Sequence, residues 1–317
     1  MFPRRILLAL AAMLAVCVVA RPQETGSEPV SEGLQFGDEV TVEWVLVPVV
    51  VRSPRGSVED LEQKDFELRV DGRPVHIESF HYDVLSPVRL VVLQDLSGSM
   101  GTERRLERSV AAVRHFLDRA RPGDRFALGT FANRGLQVEV PLTDDLDALR
   151  EAVGLWQAYG MTALHDAIAW VPRIGAGDGA LRPAALLITD GVDNASTIAP
   201  TAAREIVRRA QIPVYTLGLS SGDPSALDAQ GRKLHRYADT LDQLSSQTGG
   251  RYFPLTADDD IIAACREILA EIRHQYVLGF RTTGTESSQH AIEVRVRRSR
   301  DWEVRHRRGY TGAPPVS

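Results

Sequence analysis

The chain has 317 residues, enough for about two domains with a well-buried core. With 44% apolar and 25% charged residues its composition is that of an ordinary soluble globular protein. Lysine and arginine number 37 against 42 aspartates and glutamates, a net charge of −5 that argues against nucleic-acid or anionic-membrane binding.

Residues 1–20 stand apart. Arg4 and Arg5 precede an apolar run, Ile6 to Ala20, that ends in the small-residue pattern of a secretory signal. That run is shorter than the roughly 20 residues needed to span a bilayer. No second spanning stretch follows, so the mature chain is expected to be exported, periplasmic or secreted, without a transmembrane helix. Removing this segment takes the net charge to −7, because it carries two arginines and no acid. Leu14-Ala-Val-Cys17 resembles a bacterial lipobox, but Val16 stands where that pattern wants Gly, Ala or Ser, which disfavours lipid anchoring through Cys17. The second cysteine, Cys265, shares helical spacing with Ile261, Ile268 and Ile272 and reads as a buried, inert thiol.

Residues 21–39 are polar, with prolines, glycines and acids, and read as a disordered linker. Val40 to Val51 is β-rich but broken by Pro48, which suggests an edge or bulged strand. Phe66–Val70, then Asp71-Gly72, then Pro74–Phe80 has the signature of a hairpin. Residues 40–85 thus form a β-rich piece too small to bury a sheet face without a partner.

From Val88 onward strands and helices alternate, the sign of a parallel sheet with crossovers. Strands are predicted at 88–94, 125–131, 184–189 and 213–218, with an antiparallel edge strand at 136–140. Helices are predicted at 104–120, from Asp144 through Trp156, at 166–171, 201–210, 239–247 and 261–274. The glycine-rich loop 175–179 precedes a strand and is no phosphate cradle. Asp258–Asp260 suit a helix start better than a second metal site. The tail returns to β character: Tyr276–Arg281, then His290–Arg297, turning at Ser299–Asp301 into Trp302–Arg305. The two β pieces, 40–85 and 276–312, are expected to pair into one β-sandwich-like module with the α/β domain, 86–275, inserted between them.

Three oxygen-rich loops stand out, two after predicted strands and one ahead of a predicted helix. The first is Asp95-Leu-Ser97-Gly98-Ser99, after the apolar run Leu90–Leu93. A carboxylate and two hydroxyls at the carboxyl end of a buried strand suit a hard cation such as Mg²⁺. Taken alone the pattern is weak, because serines there also cap helices. The second is Gly160-Met-Thr162-Ala-Leu-His-Asp166-Ala, and the third is Asp190-Gly191 after the apolar run at 186–188. Together they resemble the von Willebrand factor type A (VWA) domain and its metal-ion-dependent adhesion site.

The resemblance implies a Rossmann-like doubly wound α/β fold. It implies Ser97, Ser99 and Thr162 as hydroxyl ligands of Mg²⁺ (or Mn²⁺ or Ca²⁺), with Asp95 and Asp190 acting directly or through water. Gly98, Gly160, Asp166 and Gly191 would support the loops. It also implies an open metal position that accepts an Asp or Glu from an extracytoplasmic partner protein. With Lys64-Asp-Phe66…Asp71-Gly72, Tyr276-Val-Leu-Gly-Phe280 and Arg308-Gly-Tyr310 added, nearly the whole mature chain resembles exported bacterial proteins of the VWFA-related, acidobacterial-type family. That family implies a fold and a binding site, not an activity.

Two other functions are weighed. Hydrolysis needs an activated water with a base or second metal. Only His165 lies near the motif, and neither Gly-x-Ser-x-Gly nor His-Glu-x-x-His occurs, so the chain is not expected to be an enzyme. Alternatively the β module is the binding surface, its Arg-rich hairpin 295–308 contacting an acidic partner. Such alternation is more often a solvated strand face.

Overall fold

A computed structural model describes residues 42–133, 135–174, 182–191, 193–209, 212–219, 235–256, 259–283 and 288–315. The expected export signal, the linker, the 175–179 loop and residues 220–234 lie outside the described residues.

In chain order, the first β region contains β1 (Val42–Ser53), β2 (Gly56–Ser57), β3 (Phe66–Val70), β4 (Arg73–Val75) and β5 (Ser79–Asp83). The α/β region follows as β6 (Val88–Asp95), α1 (Arg105–Leu117), β7 (Arg125–Ala132), β8 (Gly135–Thr143) and α2 (Leu146–Gly154). It continues with α3 (Leu164–Ile168), α4 (Val171–Ile174), β9 (Arg182–Thr189) and α5 (Pro200–Arg209), then β10 (Val214–Leu219), α6 (His235–Thr248), β11 (Tyr252–Leu255) and α7 (Ile261–Arg273). The chain closes with β12 (Gln275–Thr283), β13 (Ser288–Val296), β14 (Glu303–His306) and β15 (Gly309–Gly312).

The α/β region is a doubly wound sheet of order β11-β10-β9-β6-β7-β8, parallel except for β8. Every residue of β6 is buried, because successive side chains alternate between two covered faces. Leu90 and Val92 join Phe116, Leu149, Ile268 and Ile272 in one core, under α1, α2 and α7. Val91 and Leu93 join Leu164, Ile168, Ala203 and Leu244 in the other, under α3, α5 and α6. Cys265 sits in the first core as a free, buried thiol, its proton held by burial up to about 12.

From β6 the chain moves to β7 on one side and later to β9 on the other. The strand order therefore reverses at β6, which opens a crevice beyond the carboxyl ends of β6 and β9. Asp95 ends β6, and Asp190 follows β9 directly.

The remaining strands form two sheets, β14-β1-β12-β5 with β2 attached, and β15-β13-β3-β4. Each combines strands from before and after the α/β region, as in β1 with β12 and β3 with β13. Val47, Val49, Phe66, Leu68, Tyr276, Leu278, Phe280 and Val294 share one core between them. The α/β domain is thus inserted in a β-sandwich-like module.

Several local expectations change. β3 and β4 make the Asp71-Gly72 hairpin with left-handed φ of 50° and 77°, but β4 ends at Val75. The chain then crosses over, and β5 pairs with β12 in the other sheet. Burial of Ile77 in the shared core draws the chain across. β1 pairs with β12 along Val42 to Val49 and with β14 along Val49 to Arg52, so Pro48 lies in a stretch with a neighbour on one side only, as at an edge. The first turn of α2 is capped by Asp145, not Asp144, through bonds from the N–H groups of Asp147 and Ala148.

Candidate functional site

Asp95 is fully buried, and both of its oxygens are held in place. Oδ1 accepts the Ser97 N–H at 2.8 Å, which bends the chain sharply out of β6. Oδ2 accepts the hydroxyl of Thr189, the last residue of β9, at 2.6 Å. One carboxylate thus joins the ends of the two strands that flank the crevice. Beyond it a single 3₁₀ turn, Gly98–Gly101, buries Met100 and brings the Ser97 and Ser99 hydroxyls within 3.1 Å of each other.

The second loop is tied to the first through its backbone. Tyr159 N–H donates to Leu96 O at 2.6 Å, and Gly98 N–H donates to Gly160 O at 2.9 Å. Gly160 has a φ of +73°, and a Cβ there would overlap the Asn133 side chain. That asparagine accepts the Met161 N–H. Thr162 is buried, and its backbone exchanges hydrogen bonds with Asn194: its N–H donates to Asn194 Oδ1 at 2.7 Å, and its carbonyl accepts the Asn194 N–H at 3.1 Å.

The third loop carries Asp190. Gly191 turns with a φ of +84° against Tyr237 and Leu241, and its N–H donates to the Thr189 hydroxyl. Asp166 lies in α3. Its carboxylate accepts the N–H groups of Thr197 and Ile198 and so pins the 193–198 segment. His165 is buried and pairs through Nδ1 with Asp193 at 3.1 Å. Burial opposes ionisation of Asp193, yet hydrogen bonds from His165 and Ser196 hold its carboxyl down at about 2.

Motif reading does not reach Thr189, Asn133, Asn194 or Arg105. Thr189 stands immediately before Asp190, a position that is itself a usable signal. The asparagines act through loop geometry, and Arg105 is one of two adjacent arginines in a helical stretch. Its side chain is about 10% exposed. It donates to Asp190 Oδ2 at 3.3 Å, to the Ser99 carbonyl at 3.1 Å and to Glu103 at 2.7 Å.

The electrostatics are lopsided. Burial, and after it the negative charge of Asp190, push the Asp95 carboxyl up to about 7. No group of three His, Cys, Asp or Glu side chains gathers here or elsewhere among the described residues. The donors on offer are two carboxylates and hydroxyls, all oxygen, a set that suits a hard divalent cation rather than zinc or copper. Around this rim Tyr159 and Met161 are about half exposed.

Residues 90–192 match the family described as the von Willebrand factor type A domain. No curated relative is found by sequence comparison. Among solved structures, an aerotolerance-related membrane protein from Bacteroides fragilis NCTC 9343 is 20% identical, with a TM-score of 0.48, over 58% of this chain and 98% of that one. A von Willebrand factor type A protein from Catenulispora acidiphila is 14% identical, with a TM-score of 0.49, over 86% and 74%. Proximal thread matrix protein 1 from the mussel byssus, with a zinc-occupied MIDAS motif, is 15% identical, with a TM-score of 0.47, over 60% and 49%.

Proposed function

We propose, from the premise that residues 90–192 form a von Willebrand factor type A domain, that the rim above β6 and β9 is a metal-dependent protein-binding site. Ser97, Ser99 and Thr162 would supply hydroxyl oxygens to Mg²⁺, or to the comparably hard Mn²⁺ or Ca²⁺. Asp95 and Asp190 would act directly or through water. The bound ion supplies a position for a carboxylate, taken by an Asp or Glu of a partner outside the cytoplasm. Such a contact is strong and directional in a half-buried setting.

The convergence of the three loops carries this reading. Thr189 joins the two strand ends through Asp95, Gly98 is bonded to Gly160, and Arg105 connects Asp190 to the loop of Ser99. The chemistry favours binding over turnover. The one histidine beside the loop, His165, is buried and engaged with Asp193.

Isothermal calorimetry with Mg²⁺ or Mn²⁺ tests the assignment. Asp95→Ala, with Asp95→Asn as the gentler change, should abolish binding while the far-ultraviolet circular dichroism stays that of the wild type. Equal affinity in the variants would refute it. A β-module surface is favoured by one observation: Trp44 and Leu46, on the same face of β1, are about half exposed. Crosslinking capture with and without EDTA separates the two, because capture through β1 is indifferent to the chelator.

A further inference from the structure

Arg105 opens α1, yet its guanidinium turns back beneath the rim. The backbone just before it is unusual: Glu103 and Arg104 have left-handed φ values of 50° and 56°, in succession and without glycine. Left-handed residues with a Cβ are strained, and they persist where the surroundings hold them. Here they aim the Arg105 side chain between two carboxylates of contrasting exposure. Inward lies Asp190, whose side chain is 5% exposed, at 3.3 Å. Outward lies Glu103, 46% exposed, at 2.7 Å.

The two contacts are unequal. A charge-assisted N–H···O bond normally measures about 2.7–2.9 Å, so the outer one is well made and the inner one is long. The Nη1 that reaches Asp190 is also shared with the Ser99 carbonyl. Asp190, with the buried Asp95 nearby, therefore has a positive charge beside it that is only loosely attached to it. That charge has a better anchor on the solvent side.

We infer that Arg105 is a resident counter-cation of the rim, a latch that helps to balance Asp190 when no divalent ion is bound and withdraws to Glu103 when one enters. The inference rests on the metal-site reading above and adds a regulator to it. Arg105 holds no ion itself. It sets how tightly an ion is held, because every ion that binds must first displace a guanidinium from Asp190. It also spares the metal-free protein the full repulsion between two buried carboxylates.

Mn²⁺ titration of the full chain tests this, with melting temperatures recorded in EDTA and in saturating Mn²⁺. Arg105→Gln should bind Mn²⁺ on the order of tenfold more tightly, the effect of removing one nearby partly screened charge. Its melting temperature should fall in EDTA and recover in Mn²⁺, so that the gap between the two conditions widens. Glu103→Asn removes the outer anchor, and asparagine tolerates the left-handed backbone. This variant should bind Mn²⁺ several-fold more weakly, which decides the matter if Arg105→Gln does not fold. Unchanged or weaker binding by Arg105→Gln, with equal melting losses in both conditions, reduces Arg105 to a brace for the Ser99 loop and overturns the latch. In a non-folding Arg105→Gln case, unchanged or tighter binding by Glu103→Asn does the same. If neither the wild type nor Arg105→Gln binds Mn²⁺, the metal-site reading fails and takes the latch with it. If the wild type binds and Arg105→Gln matches it, only the latch fails.

Discussion

His306 shows how a single buried side chain ties stability to pH. Its Nε2 accepts the Val294 N–H at 3.1 Å, so the proton belongs on Nδ1, which donates to the Arg307 carbonyl at 2.8 Å. Burial pushes its pKa down to about 4. The unfolded chain takes up that proton near pH 6.5, while the folded chain resists until about pH 4. Between those values the unfolded state binds more protons, so stability must fall as pH falls through this window and level off below it. Above pH 6.5 the residue contributes no slope. Full loss corresponds to roughly 3 kcal/mol. His306→Gln should flatten the melting-temperature profile between pH 6.5 and 4, at a cost of about 1 kcal/mol at neutral pH for the altered bonds. A slope identical to that of the wild type would assign the acid sensitivity elsewhere. Nothing in the sequence marks this residue, because a histidine in an alternating strand reads the same on either face. Thr189 differs: it occupies the last position of an apolar run before an Asp-Gly, so its place beside Asp95 follows from the strand ends being neighbours.

At the level of elements, the short 159–162 turn has the most to do. It connects α2 to α3, binds Leu96 and Gly98 through its backbone, and positions Thr162. Gly160→Ala combines a left-handed φ with a Cβ that would fall on the Asn133 side chain. Asn133 must then release the Met161 N–H. The expected result is a loss of roughly 1–3 kcal/mol and at least about tenfold weaker divalent-ion binding. Thermal melts and calorimetry would read both, and unaltered ion affinity would mean that the turn does not position Thr162. The strand–helix alternation of this region is visible in the sequence because β6, β9 and β10 are apolar on both faces. The break between α3 and α4, and the crossing of 76–78 from one sheet to the other, are not. Both depend on which neighbouring surface a few side chains find, and no local propensity carries that information.

For the molecule as a whole, Glu271 is the fastening point. It is fully buried on α7, yet it pairs with Arg52 of β1 at 2.8 Å, with Arg305 of β14, and with Arg251 ahead of β11 at 3.5 Å. It therefore holds the inserted domain against the β module that surrounds it. Removing one member of a buried ionic cluster leaves charge without a counterpart, at a cost of about 3–5 kcal/mol. Glu271→Gln should lower the stability of the full chain by that amount in urea unfolding. A loss below about 1 kcal/mol would show that Glu271 is not what fastens the junction, where Glu267 of the same helix also pairs with Arg52 and Arg251. A second buried pair, Arg273 with Asp124 at 2.6 Å, fastens the end of the same helix within the α/β domain.

By itself the sequence determined the strand–helix alternation of the inserted region, the β character of the two pieces that flank it, and the three short oxygen-rich patterns that carry the resemblance. These features are written in periodicity and in short local patterns, which the chain carries wherever it folds. Only the tertiary structure decided that Thr189 bridges Asp95, that Asn133 and Asn194 hold the Thr162 loop, that Arg105 turns beneath Asp190, and that Glu271 gathers arginines from three separate stretches. Each of these is a contact between residues distant in sequence, and its energy exists only once burial has stripped the groups of water. No window of neighbouring residues records that condition.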